Sequence, residues 1–452
     1  MKRRFYLIVT CLPLILLVAL GIRVWFAWDQ ERQIPPHLVG LVPFLQETGN
    51  IAFSIALGHG FGSPYWQETG PTAWLTPVYP YTVAAAYRIF GIHTPHAFFA
   101  IVMLNILCSV ATCVPIFYVG KQVAGLGVAS GAAWIWAVFP NAVIIPFEWV
   151  WDTSLSALLM ATILWATLQL APSAAPATTS DVRNALLTAG TEGLPRWRAW
   201  FWYGLLWGFA LMTNPSLGMI LPFLLGWAGL QRSKLQQSAG GNQREHLRGV
   251  TLALGIAVLC CVPWSVRNYL AFHRFVPLRS NLPFELWLGN NQNFDPQSQI
   301  VPPPDPERAE IHNYIRMGET AFMRNKWREA IEFMRTHPRL EMTLFARRFV
   351  ATWTGMEKPI EGFLNTDSLL TRTVLVSNLF AALGALCGIV LLFARRSPFA
   401  FPLTVFPAVF PILYYVTHAS LRYRHPIDPV LVLLTAVSVA GILNQIDSRL
   451  HH

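Results

Sequence analysis

Charge is scarce in this chain of 452 residues: 12% are Asp, Glu, Lys or Arg, against roughly 25% in soluble domains. A large soluble core does not account for the shortage. The chain is 54% hydrophobic, and several apolar runs reach the roughly 20 residues that cross hydrocarbon. Acids are the scarcer sign, 23 against 33 Lys and Arg, for a net charge of +10. That excess does not mark a nucleic-acid binder. The basic residues cluster in short loops between apolar runs, where positive charge sets orientation, and no basic tail or basic, aromatic-interleaved module occurs. Cysteine is sparse too. Cys11, Cys108, Cys113, Cys260, Cys261 and Cys387 all lie inside apolar runs, without a CxxC pair or a Cys/His spacing for zinc. Also missing are a Walker A sequence, a GxGxxG on a strand, HExxH and GxSxG. Chemistry, if present, then belongs at a membrane face.

What remains reads as an all-α polytopic membrane protein, a single domain over residues 1–452. MKRR precedes an apolar run from Phe5 to about Ala27 that no small-residue cleavage site closes, the pattern of an uncleaved first span. Further runs occupy Ala97–Val119, Leu126–Ile145, Trp151–Leu170, Trp200–Met212, Ser216–Leu230, Gly249–Leu270, Val374–Ala394, Phe399–Thr417 and Ile427–Ile446, giving ten spans. Trp200 to Leu230 is either one long helix or two short ones; a hinge at Asn214-Pro215, where proline removes a donor and restricts its predecessor, favours two. Loops holding Lys2, Arg3 and Arg4, Lys121, Arg183, Arg232 and Arg395 then fall on one side. By the positive-inside rule that side is the cytoplasm, with both termini in it.

Two long loops lie on the other side, residues 28–96 and 271–373, and long loops usually carry function. The second opens irregularly with LGNNQNFDPQSQIVPPPDP. From Pro306 to Trp353 it turns helical, with Ile311, Ile315, Phe322, Trp327 and Ile331 at helical spacing among basic residues. That pattern fits helices on a membrane surface or packed on one another. In the first loop, QETGNIAFSIALGHG is too short to cross. Ile51 and Ile55 fit a helix face, whereas Ile51, Phe53, Ile55 and Leu57 alternate like a strand; the membrane setting favours a short interfacial helix.

Ionisable residues near hydrocarbon are costly unless paired or useful. Glu47 is either a general base or an acid favoured by a helix N-terminus. GSPYWQETGPTAWLTPVYPY, with Trp74 in it, offers a stiff aromatic surface for a sugar, or an interfacial belt. SLRYRHPIDP crowds Arg422, Tyr423, Arg424 and His425 into a loop where the positive-inside rule expects few cations. Arginine forks suit phosphate oxygens; a tie to loop acids is the alternative. Arg267, in PWSVRNY, is a second cation at headgroup depth. Asp152 is expected in a buried Asp–Arg tie. Asn290 and Asn291, in LWLGNN, suit a sugar or an ordinary turn.

In their order along the chain, these pieces resemble the GT-C superfamily of polytopic glycosyltransferases, in particular the protein O-mannosyltransferases and the aminoarabinose transferases of lipid A. The resemblance runs from Glu47 and IAFSIALGHGF through GPTAWLTPVYP and AAAYRIFGI to PWSVRNY, LGNN, RMGETAF and RYRHP. Where O-mannosyltransferases carry Asp-Glu, this chain has Gln46-Glu47, which removes the best reason to expect a divalent metal there; a metal is left open without being indicated, and no other cofactor is expected. The resemblance implies transfer, with inversion, of a sugar from a polyprenyl-phosphate donor to a lipid, glycan or protein acceptor on the outer face, in contact with membrane lipids and without nucleic acid. It makes Glu47 the base, and Arg267, Arg422, Arg424 and His425 the holders of the lipid phosphate. The expected location is a bacterial cytoplasmic membrane. A transporter or flippase of a polyprenyl-linked lipid is the rival from another class, and favours intramembrane polar residues and internal repeats.

Overall fold

A computed structural model describes residues 10–34, 46–148, 150–170, 196–238, 244–291, 304–356, 359–366 and 368–450. The basic residues Lys2, Arg3, Arg4 and Arg183 and the irregular stretch 292–303 lie outside the described residues. Among those described, the elements are helices, with one isolated antiparallel bridge between Gly62 and Pro71.

Among the described residues, six helical stretches are long and apolar enough to cross a membrane: Leu12–Glu31, Pro95–Ala124, Thr153–Leu170, Leu247–Phe272, Leu369–Ala394 and Leu421–Ser448. A seventh is the pair Leu126–Val138 and Pro140–Glu148, bent by 43°. The ten apolar runs of the sequence thus do not become ten full-length apolar helices. Arg196–Thr213 has 18 residues and begins with two arginines. The runs at 216–230 and 399–417 fold into the shorter apolar helices Pro215–Gln231 and Ala400–Val416. The division between Thr213 and Pro215 falls where the proline requires it. Asn214 leaves the helix in an extended conformation, and its side chain accepts the Ser216 N–H to start the next turn.

Small residues let the helices approach closely, which sets packing where apolar contact with lipid offers no net drive. A Cβ at Gly388 would fall 2.2 Å from the Leu434 carbonyl oxygen, so Leu369–Ala394 and the last helix touch backbone to backbone there. The 43° bend has a polar cause as well. Pro140 has no N–H to give the Trp136 carbonyl. Arg23, buried in the first span, donates to that oxygen at 3.1 Å, to the Ala137 carbonyl at 2.9 Å and to Ser109 Oγ at 3.0 Å.

The two long loops meet over one end of this bundle. The helical pattern after Pro306 becomes three helices, Pro304–Met317, Glu319–Thr336 and Pro338–Thr354. Ile311, Phe322 and Phe333 are buried, whereas Ile315 and Trp327 stay exposed. Glu319, the acid of RMGETAF, joins the loops. Its carboxylate accepts from the Ala73 N–H at 2.8 Å, Ser280 Oγ at 2.6 Å, Tyr314 OH at 2.7 Å and the Thr72 hydroxyl.

Candidate active site

QETGNIAFSIA forms a helix, Glu47–Ala56, entered from an extended Gln46. Its helical periodicity prevails over the alternation because Ile51, Ala52 and Ile55 bury one stripe. The Arg88 guanidinium, from helix Val78–Phe90, donates to the Ile55 carbonyl at the far end at 3.1 Å. At the near end the Gln46 side chain accepts the Trp151 indole N–H. Glu47 is thereby held in the first turn, where the helix dipole favours an acid, and it faces a cavity.

That cavity, of about 920 Å³, lies where both loops meet the ends of the helices around Asp152, Asn214 and Arg422. Its size falls in the range of small-molecule and cofactor sites, about 300–1,000 Å³. Three carboxylates line it, Glu47, Asp152 and Glu285, with three arginines, Arg279, Arg348 and Arg422, and with His418. Burial raises the pKa of Glu47 above the ordinary carboxylate value; its own backbone N–H works against this, the nearby Glu285 adds to it, and Arg422 and Arg279 lower it. Burial raises Asp152 as well, against the Ser156 hydroxyl and the Arg279 charge. His418 is held below the usual histidine value, chiefly by burial.

The two acids differ in commitment. Asp152 accepts from Ser156 Oγ at 2.8 Å and from Asn214 Nδ2 at 3.0 Å. These replace the direct Asp–Arg tie expected of it, and Arg279 and Arg422 act on it only through their charge. Glu47 is engaged by its own backbone N–H.

RYRHP is split by the fold. Arg422 lines the cavity between two aromatic faces, 4.5 Å from the Trp151 ring centroid and 4.7 Å from that of Tyr423, and donates to the Tyr423 hydroxyl at 2.7 Å. Tyr423 stacks on Tyr414, with centroids 5.0 Å apart and planes 6° from parallel, and its hydroxyl meets His418 Nε2 at 2.9 Å. Arg424 turns into the bundle. It donates to Asp428 Oδ1 at 2.8 Å, to the Thr352 and Trp353 carbonyls at 3.1 and 3.0 Å, and to Asn378 Oδ1. His425 follows it, with Nδ1 3.1 Å from Asp428 Oδ2 and its ring stacked on Trp136. Neither residue lines the cavity.

Three more residues singled out in the sequence sit away from the cavity. Arg267 donates to the Phe61 and Thr72 carbonyls, where it fastens the first loop to the span that carries it. Trp74 is buried against Tyr65, Phe284 and Tyr314. Asn290 is buried as well. Its amide donates to the Leu286 and Val416 carbonyls, and it accepts from Arg348 at 2.9 Å. Only Asn291 of that pair reaches the wall. LGNN is thus a close crossing: a Cβ at Gly289 would lie 1.8 Å from the Thr417 carbonyl oxygen.

Conversely, the fold adds Arg279, Glu285, Arg348 and His418 to the lining. Arg279 and His418 carry a signal visible in the sequence, a cation beside a span at the end where positive charge is rare. Glu285 carries none beyond being an acid in an apolar helix start. Among the described residues, no group of three or more His, Cys, Asp or Glu side chains is arranged to hold a metal ion.

No protein-family model matches the chain, and no curated protein sequence matches it. Solved structures do. The archaeal oligosaccharyltransferase AglB from Archaeoglobus fulgidus, in complex with an inhibitory peptide and a dolichol-phosphate, superposes with a TM-score of 0.54 at 14% identity, over 98% of this chain and 51% of that one. The apo form of the Archaeoglobus fulgidus oligosaccharyltransferase gives 0.53 at 12% identity, over 98% and 51%. ArnT from Cupriavidus metallidurans, at 15% identity over 93% and 78%, reaches only 0.33, too low to carry an argument. The chain spans about half the length of the archaeal chains it matches. At such identity the likeness establishes a fold, and that fold is the GT-C architecture.

Proposed function

We propose, for a chain with the GT-C fold, that it is an inverting glycosyltransferase that moves a sugar from a polyprenyl-phosphate donor to an acceptor hydroxyl or amine. Glu47 takes the acceptor's proton. The acceptor atom bonds to the anomeric carbon as the bond from that carbon to the phosphate oxygen breaks, and the electron pair leaves with the polyprenyl phosphate. Arg422 and Arg279, with His418 as a further donor, meet the charge that develops on that oxygen. Preorganised donors of this kind are usually the largest single contribution to such catalysis. The phosphate set inferred from RYRHP therefore narrows to Arg422, with Tyr423 orienting it. Arg424, His425 and Arg267 drop to structural parts, as do Trp74 and Asn290. Asp152 and Asn291 are left as wall groups for sugar or acceptor hydroxyls.

The observation that carries this reading is that one cavity is lined by Glu47 together with Arg422, Arg279 and His418. An acid whose pKa is raised by burial suits a general base working near neutral pH. In keeping with the positive-inside expectation, the cavity faces the non-cytoplasmic side of a bacterial cytoplasmic membrane. The test is turnover of a panel of polyprenyl-phosphate sugars by purified wild type and Glu47→Gln. Loss of transfer by the variant, with binding of undecaprenyl monophosphate retained, supports the assignment; unchanged transfer removes Glu47 from the chemistry.

A further inference from the structure

Glu285 is a lining carboxylate to which the proposed transfer gives no role. It stands on helix Leu282–Gly289, where Asn281 Nδ2 donates to its Oε1 at 2.7 Å. Around it are the cations that the transfer reading assigns to phosphate. Arg279 Nη2 lies 3.9 Å from Oε1, and His418 Nδ1 lies 3.5 Å from Oε2. Both contacts are longer than charge-assisted hydrogen bonds, which run about 2.7–2.9 Å. Among the described residues, buried His418 Nδ1 faces Glu285 alone, its carboxylate at 3.5 Å and its main chain, a weak arrangement for a buried polar group. The opposite ring nitrogen is already engaged by the Tyr423 hydroxyl, and through it by Arg422. A loosely held carboxylate therefore sits among an arginine, a histidine that it meets only at long range, and a second arginine reached through a tyrosine.

Resting on the transfer reading above, we infer that Glu285 is a built-in competitor for the phosphate, an anion that neutralises the cation cluster when it is empty and repels the lipid phosphate left after transfer. A phosphate has more oxygens than a carboxylate and can meet Arg279, His418 Nδ1 and Arg422 directly, so it enters despite Glu285. Once the sugar has gone, the phosphate carries more negative charge in a partly desolvated site that already holds a carboxylate. Like charges at such separations repel strongly when water is partly excluded. Glu285 keeps product affinity moderate, so that the spent carrier leaves.

The direction of the effect separates this role from a structural one. A positioning acid, once neutralised, loosens the cations and weakens phosphate binding; a competitor, once neutralised, tightens it. Binding of undecaprenyl monophosphate, inorganic phosphate and undecaprenol to the detergent-purified full chain is measured for wild type, Glu285→Gln and Arg422→Gln, with unfolding temperature as the check on folding. Gln keeps the acceptor for Asn281 and loses only the charge. Glu285→Gln is expected to bind undecaprenyl monophosphate about tenfold tighter or better, with undecaprenol unchanged. A gain for inorganic phosphate too supports the inference and assigns recognition to the phosphate group alone; a gain confined to the lipid supports it with the chain contributing. Should Glu285→Gln fold poorly, Glu285→Ala shows the same gain. Equal or weaker binding by Glu285→Gln, while Arg422→Gln also loses affinity, overturns the competitor and leaves the phosphate reading standing. If wild type and Glu285→Gln hold undecaprenol as tightly as its phosphate, both fall.

Discussion

The wall of the cavity and the bundle interior beside it treat neighbouring arginines differently. Around Arg424 the contacts close on themselves. Asp428 takes Nε, main-chain carbonyls and Asn378 take the terminal nitrogens, and Asn141 Nδ2 ties Asn378 to Asp428 at 2.9 and 3.2 Å. Arg422 meets two aromatic faces and a hydroxyl, feels the charges of Glu47 and Glu285, and borders the cavity. A buried charge is tolerated when paired and hydrogen-bonded; charges left facing a cavity with loose partners are those that have something to bind. In the proposed reading, one tetrapeptide serves stability through its second arginine and function through its first.

The comparison breaks hardest at Arg424. Arg424→Met leaves Asp428 and Asn378 without their main donor, and removing one partner of a buried pair costs about 3–5 kcal/mol. Denaturant unfolding in detergent micelles measures this. The double variant Arg424→Met, Asp428→Leu removes the stranded charge with its partner and regains part of the loss. A single variant as stable as wild type would show that the interior cluster does not hold the bundle.

At Arg422 the same kind of change acts on turnover. Arg422→Lys keeps the charge but loses the planar fork and its stacking on Trp151 and Tyr423, so kcat/KM falls about 10- to 100-fold, while unfolding shifts little. If Arg422→Lys destabilises the chain as much as Arg424→Met, the division between wall and interior is wrong.

Glu47 is a third probe, through pH. Its folded pKa lies above the ordinary 4.5 because of burial, so the folded chain holds its proton more tightly than the unfolded chain does. That contribution to stability is complete below about 4.5 and is lost as pH rises through the raised value. Glu47→Gln, always neutral, therefore gains stability relative to wild type over that window, and the difference levels off above it. Unfolding temperatures compared from pH 4 to 8 give the curve. In wild type, transfer falls as pH drops through the same window, because the base is then protonated.

Much of this architecture is legible in the residues. The helical class, the break at Asn214-Pro215, the short helix that starts at Glu47 and the helical second half of the large loop all follow from local periodicity and proline chemistry. What the chain conceals depends on contacts distant in sequence. Residues i and i+2 face different sides of a helix, so RYR must send its arginines apart, yet only the fold says which one meets the cavity. Trp74 belongs to the core because Tyr314, 240 positions onward, covers it. Prolines bend the apolar run at 126–148 and shorten the one at 399–417, which composition alone does not reveal.

Arg267 gives the smallest and most discriminating test. As an external cation beside a span it looks like Arg422 in the sequence, and the fold gives it two carbonyls, Phe61 and Thr72, together with the faces of Phe61 and Trp264 at 5.4 and 4.9 Å. Lysine retains the charge and reaches at most part of this set, so Arg267→Lys loses about 1 kcal/mol, the worth of a typical hydrogen bond. Its affinity for undecaprenyl monophosphate stays within about twofold of wild type, since the charge is kept and lies outside the cavity. Binding and unfolding measured on the same preparation decide between the two positions. If Arg267→Lys loses lipid-phosphate affinity tenfold with stability intact, the phosphate lies against the first loop at Phe61 and Thr72, and the division between a binding wall and a structural interior has to be redrawn to include it.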